Sequence, residues 1–214
     1  MTSLSAVDVL AEATRGAVVV DTRVPSDFAA EHVPGAVNVA YAAGEMHRRL
    51  ATVVPPGHRL VVVGPTDGLL RTVVEELSTA LDYSLLGYLA GGVEAWHAEG
   101  FPTARVGQLT LEAVLGRLQA DELLLLDVRE QAAWNREHIP RSRSLPLHRV
   151  WATAGSFRED QSLACIDEDP WRSSAAASVL LRAGLRRVAD VPEGLPGWRR
   201  AGYDLHHPSV PPLP

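Results

Sequence analysis

The sequence predicts an α/β protein in which one layered unit, a central and mainly parallel sheet with helices on both faces, is built twice. The first observation is an internal repeat. DTRVPSDFAAEHVPGAVNV, residues 21–39, aligns without a gap on DVREQAAWNREHIPRSRSL, residues 127–145. Asp21, Arg23, Glu31, His32 and Pro34 return as Asp127, Arg129, Glu137, His138 and Pro140, each 106 positions on, and self-similarity on that scale fixes the architecture before any single element is read. The second is alternation: short apolar runs take turns with helical stretches of about ten residues, the pattern of parallel strands covered by helices. The third is length. A chain of 214 residues holds one large domain or two of about 100 residues each, and the repeat selects two.

The elements follow in order. Residues 5–13 place Val7, Val9 and Leu10 at helical spacing, and residues 110–118 do the same with Leu111, Val114 and Leu115; Ser5 and Thr110 stand where N-caps belong. RLVVVG at 59–64 and SLACID at 162–167 read as buried strands, each followed by a turn and a helical stretch. Each half closes on a spaced Gly, Trp, Gly set: Gly92, Trp96 and Gly100, then Gly194, Trp198 and Gly202. Both tryptophans are expected in the core. The halves are expected at 1–104 and 105–207, with a link near Pro102 to Gly107 too short for independent tumbling. A proline-rich tail, 208–214, is expected to be extended and without a role.

Composition excludes several function classes. The net charge of −6 offers no basic surface for nucleic acid. No apolar run approaches the roughly 18 to 20 residues of a membrane span, and the start has no basic segment ahead of a hydrophobic one, so a cytoplasmic protein is expected. Cys165 is the single cysteine and all 20 basic side chains are arginine. A Cys-rich metal site, an internal disulfide and lysine Schiff-base chemistry are therefore excluded, and no cofactor or metal is expected.

The strand exit D-x-R, an aromatic residue, E-H-[IV]-P and the closing G-x-x-x-W-x-x-x-G, all present twice and in register, resemble the signatures of the rhodanese family. The resemblance covers nearly the whole chain and implies two rhodanese-like domains. It also implies a reaction, in which a cysteine at the end of a central strand heads a six-residue loop, C-x-x-G-x-[RST], whose amides and following helix favour the thiolate. That cysteine accepts sulfur from thiosulfate or mercaptopyruvate and passes it to a thiophile.

Against that pattern neither loop keeps the thiol. Arg172 and Ser173 fall where the family has R-S, just before the helical stretch 174–184, which places the nucleophile position at Asp167. The loop then reads Asp167, Glu168, Asp169, Pro170, Trp171, Arg172, with a proline that has no N–H at the glycine position. Cys165 lies two residues too early and reads as core filling. Three carboxylates repel a dianionic donor, at roughly 2 kcal/mol per charge pair for about 7 Å and an effective dielectric near 20, and Arg172 offsets one. In the first half the position falls on Gly64, and Arg71 arrives two residues late.

The expected function is a catalytically inactive tandem rhodanese-like protein that binds or regulates, its contact site the second loop: Asp167, Glu168, Asp169, Trp171, Arg172 and Ser173. Trp171 either plugs the pocket or offers a contact surface. Arg23 and Arg129 are expected at the pocket mouth, paired with Glu31 or Glu137. His32 and His138 shape their turns, and His206 and His207 lack metal spacing. The partner is expected to be a protein or a small anion. Two alternatives stay open: a sulfurtransferase using Cys165, and a metal binder or hydrolase built on the acidic loop.

Overall fold

The computed structural model describes residues 2–78 and 82–207; the proline-rich tail lies outside them. The first half runs β1 (Ser3–Leu4), α1 (Ala6–Thr14), β2 (Val18–Asp21), α2 (Pro25–Ala30), β3 (Val37–Asn38), α3 (Met46–Val53), β4 (Arg59–Val63), α4 (Asp67–Ser78), β5 (Ser84–Leu89) and α5 (Gly92–Ala98). The second runs β6 (Gly107–Gln108), α6 (Leu111–Gln119), β7 (Leu124–Asp127), α7 (Gln131–Arg136), β8 (Arg143–Ser144), α8 (Leu147–Thr153), β9 (Leu163–Ile166), α9 (Pro170–Arg182), β10 (Val188–Asp190) and α10 (Gly194–Arg200). Strand order is β1-β5-β4-β2-β3 in one sheet and β6-β10-β9-β7-β8 in the other, and every ladder is parallel. The same unit is thus built twice. No helix among the described residues is long and apolar enough to cross a membrane.

Local chemistry explains the elements. Val18 to Val20 and Leu60 to Val63 are buried throughout, as β-branched runs are when helices cover both faces of a parallel sheet. Ser5 caps α1 and closes a reciprocal box with Asp8, while Thr110 caps α6 through the Ala113 amide at 3.3 Å. Trp96 and Trp198 are 2% and 1% exposed, and their indole N–H groups donate to the carbonyls of Pro102 and Asp204, each six residues on. The closing tryptophan therefore ties down the chain that leaves each half.

One hydrophobic core runs across both halves, with Val37 and Leu50 of the first in the same cluster as Leu147, Ala175 and Val179 of the second, while Leu111, Ile139, Ile166 and Trp198 belong to a separate cluster on the other side of the second sheet. Helix α9 lies on the β3 edge. The Asn38 amide donates to Ser178 Oγ at 2.9 Å, Ser174 Oγ donates to Asn38 Oδ1 at 2.8 Å, and Arg182 donates to the Gly35 carbonyl at 2.8 Å. Small side chains at Ser174, Ala175, Ala177 and Ser178 make this approach possible. Val37 and Asn38 are buried, whereas their repeat counterparts on β8 are the exposed Arg143 and half-buried Ser144. A charged edge of that kind resists further strand pairing.

Candidate functional site

Both D-x-R turns, both middle-strand loops and both closing glycine motifs follow the C-terminal ends of parallel strands, the edge at which open α/β sheets bind ligands. In the second half Arg129, 5% exposed, folds back on the end of its own strand: Nε is 2.9 Å from Asp127 Oδ1 and Nη2 is 2.7 Å from Oδ2. The same Nη2 donates to the Glu137 carbonyl at 2.9 Å. Arg23 repeats the arrangement with Asp21 at 3.0 and 2.7 Å and with the Glu31 carbonyl at 2.6 Å. The expected pairing with the Glu31 and Glu137 side chains is thus replaced by a bidentate pair with the strand's own aspartate and a grip on the glutamate's backbone. Burial works against both guanidinium charges, but the adjacent Asp21 and Asp127 carboxylates prevail and raise the arginine pKa values.

The histidine of each E-H-[IV]-P segment is held by the helix before it. His32 stacks on Phe28 with ring centres 3.9 Å apart, and His138 stacks on Trp134 at 3.6 Å. Each Nδ1 meets the carbonyl four residues back, at 2.7 and 2.9 Å. Their backbones bridge Ala104 and His206, so the turn is pinned to the end of its half.

Asp167 heads the second loop, and its side chain is 4% exposed. Oδ1 accepts the amides of Glu168 at 2.7 Å and Asp169 at 3.0 Å, and Oδ2 accepts Arg172 Nε at 3.0 Å. Burial raises the Asp167 pKa, against the opposing pull of those amides and of Arg172. Asp169 caps α9 through the Trp171 amide at 3.3 Å, and Pro170 takes the first helical position, where a missing N–H costs nothing. The helix therefore begins at Pro170, not after Ser173, and Arg172 belongs to its first turn. This early start follows from the Asp-Pro pair, a cap and N1 signal that outranks the motif spacing.

The loop's charges are better offset than the sequence implies. One Glu168 carboxylate oxygen meets Arg199 at 2.8 Å and Arg129 at 3.1 Å, and Arg199 also pairs with Glu137. The Arg199 contact, followed by the two arginine charges, holds the Glu168 carboxyl below its ordinary range. Arg199 escaped the sequence reading because it arrives from α10, far along the chain. Of the six expected contact residues, Glu168 and Asp169 are exposed, Arg172 is half-buried, and Asp167, Trp171 and Ser173 are buried. Trp171 is buried, and the Arg49 guanidinium of the first half covers its ring at 4.5 Å.

Cys165 lies inside β9, in register with Leu126 and Asp190, and is fully buried. Burial, followed by the charge of Asp190, raises its pKa well above the ordinary thiol value, which keeps the sulfur a thiol and not a nucleophilic thiolate. In the first half a Cβ placed on Gly64 meets Leu70 Cδ2 at 2.8 Å and Thr22 Oγ1 at 3.0 Å; a side chain at this position requires Leu70 to shift. The closing glycines serve the loops in turn. Gly194 (φ +57°) carries its α-carbon so close to the Asp167 carbonyl that a Cβ would sit 2.4 Å from the oxygen, and Gly92 (φ +63°) stands likewise over the Gly64 carbonyl, with 3.2 Å for its Cβ. A cleft of about 540 Å³ lies between α4 and β5, and one of about 340 Å³ is lined by Leu115, Ile139, Trp198 and Tyr203; neither includes a residue of either loop.

Comparison with known proteins places these features in a family. The family model for the rhodanese-like domain matches residues 5–99 and again 110–201. The Bacillus subtilis protein YrkF, whose designation as a sulfur carrier is provisional, is 31% identical over 94 residues, 44% of this chain and 51% of that protein. A sulfurtransferase of Allochromatium vinosum is 26% identical over 104 residues, 48% of this chain and 97% of its own length. Among solved structures, a thiosulfate sulfurtransferase from Pseudomonas aeruginosa aligns with 98% of this chain and 44% of its own, at 21% identity and a TM-score of 0.43. This chain thus matches about half the length of YrkF and less than half of the Pseudomonas enzyme. With two matches that together take in most of its residues, the chain belongs to the rhodanese-like domain family, and carries that domain twice.

Proposed function

We propose that the protein is a catalytically inactive rhodanese pair that works by binding, with the halves divided at 104/105 and the second loop as the contact region. The observation that carries this reading is the place of the Asp167 carboxylate. The amides of Glu168 and Asp169 and the Arg172 guanidinium, the kind of donor set that would cradle a substrate anion, are all engaged by a side chain of the loop itself. A carboxylate forms no labile S–S bond, so sulfur transfer has no acceptor atom there. Removal of a nucleophile in a well-studied hydrolase costs on the order of a millionfold in rate, and Gly64 offers no replacement.

The exposed parts of the loop, Glu168 and Asp169, with Glu130 beside Arg172 at 3.3 Å, favour a protein partner with a basic face over a small anion. The names of the relatives favour a second reading, a sulfurtransferase or carrier that uses Cys165, and the burial of that thiol speaks against it. Incubation with thiosulfate or 3-mercaptopyruvate followed by intact-mass spectrometry separates the two. The inactive reading expects no persulfide, and a stoichiometric gain of one sulfur on Cys165 would replace it with the second.

A further inference from the structure

Asp190 ends β10 with 1% of its surface exposed, and among the described residues it alone has buried side-chain oxygens without a hydrogen-bond partner. Its cross-strand neighbours in register are Cys165 on β9 and Gln108 on β6. Ser173, in the first turn of α9, faces it but donates its hydroxyl to the Pro170 carbonyl at 3.2 Å. The Val191 amide is committed to the Cys165 carbonyl at 3.0 Å. The Ser173 hydroxyl and the Val191 amide pull the carboxyl pKa down, but burial outweighs them, and the charge of Asp190 in turn raises the pKa of Cys165. Its counterpart in the first half is Tyr88, which pairs with Val62 as Asp190 pairs with Cys165, so the repeat does not require an acid here.

A buried, unpaired carboxylate destabilises whatever structure encloses it, and the strain is relieved when that structure opens. The enclosing parts are the end of β10, the middle of β9 and the first turn of α9, directly beneath the loop at Asp167. We propose that ionised Asp190 makes this corner of the second half the place that opens first, exposing Cys165 transiently, and that protonation of Asp190 closes it. Burial raises the carboxyl pKa from 3.8 to about 6. A group raised in the folded state contributes stability that is fully present below its unfolded value and is lost as pH rises through the folded one, so opening increases from about pH 4 to pH 6 and levels off above.

Cys165, the only thiol in the chain, reports the opening directly. The full-length protein and its Asp190→Asn variant are treated with 4,4′-dithiodipyridine, which reacts with thiols in mild acid, from pH 4 to pH 7.5. Each rate is divided by that of the same chain in urea, which cancels the intrinsic pH dependence of the thiol. The normalised wild-type rate is expected to rise at least about tenfold across this range, within the limit of about a hundredfold set by a shift of roughly two pH units, while Asp190→Asn stays flat. If the variant does not fold, the wild-type profile alone decides. A flat wild-type profile, or an equal rise in a folded variant, overturns the proposal.

Discussion

The guanidinium of Arg49 lies 4.5 Å from the ring centre of Trp171, so the first turn of α9 is roofed by a side chain of the other half. Arg49 is itself held by Glu45 at 3.2 Å and by the Ala40 carbonyl at 2.8 Å. Replacing Trp171 by Ala removes a buried aromatic and is expected to cost about 3–5 kcal/mol in urea denaturation. Arg49→Ala removes the cation–π contact together with the bonds to Glu45 and Ala40 but keeps the buried ring, and should cost about 0.5–2 kcal/mol. Equal losses in the two variants would mean that the ring contributes little packing.

Asp167→Ala leaves two amides and Arg172 Nε without an acceptor in a buried turn and is expected to destabilise by about 1–3 kcal/mol. Asp167→Asn keeps an oxygen for the amides and should cost less. Thermal denaturation of both variants checks the order. Equal losses would show that the charge, not the hydrogen bonding, is what the loop needs.

The first loop makes a steric prediction. With Leu70 Cδ2 2.8 Å from the Cβ of any larger residue at position 64, Gly64→Ala is expected to cost about 1–3 kcal/mol by overpacking. Leu70→Ala in the same chain should make the Gly64→Ala substitution nearly neutral, which a double-mutant cycle measures. Gly194→Ala is expected to be worse than Gly64→Ala, because it meets a backbone oxygen and has a positive φ besides.

Glu168 gives a pH dependence of opposite sign to that of Asp190. Arg199 and Arg129 depress its pKa, so the stability it contributes is present above its unfolded value near 4.5 and is lost as pH falls through the lower folded one. The side chain is 49% exposed, and solvent screening limits the effect to about 1 kcal/mol. Glu168→Gln should therefore lower the melting temperature slightly at pH 7, with a difference that shrinks as pH falls below 4.5.

The repeat, the N-caps, the closing tryptophans and the alternation of strands and helices were legible in the sequence because each rests on local pattern or on self-similarity. What contacts what across the halves was not. Ser174 and Ser178 are unremarkable in a helix until Asn38 is brought against them from 136 and 140 residues away. Arg199 carries no signal that it will reach Glu168, and Asp190 looks like an ordinary strand-end acid until both neighbouring strands and α9 bury it. The start of α9 was readable from Asp169 and Pro170, but alignment to the family's R-S pair displaced it by four residues. The head of each loop was placed by counting, and its surroundings, the self-bonded carboxylate of Asp167 and the close approach of Leu70 to Gly64, required side chains in three dimensions.

Thiocyanate formation from cyanide, with thiosulfate and then 3-mercaptopyruvate as donor, tests the central claim most directly. Production at the rate of the protein-free control is predicted for the parent chain and for Cys165→Ser alike. Turnover by the parent chain that disappears in Cys165→Ser would contradict the account.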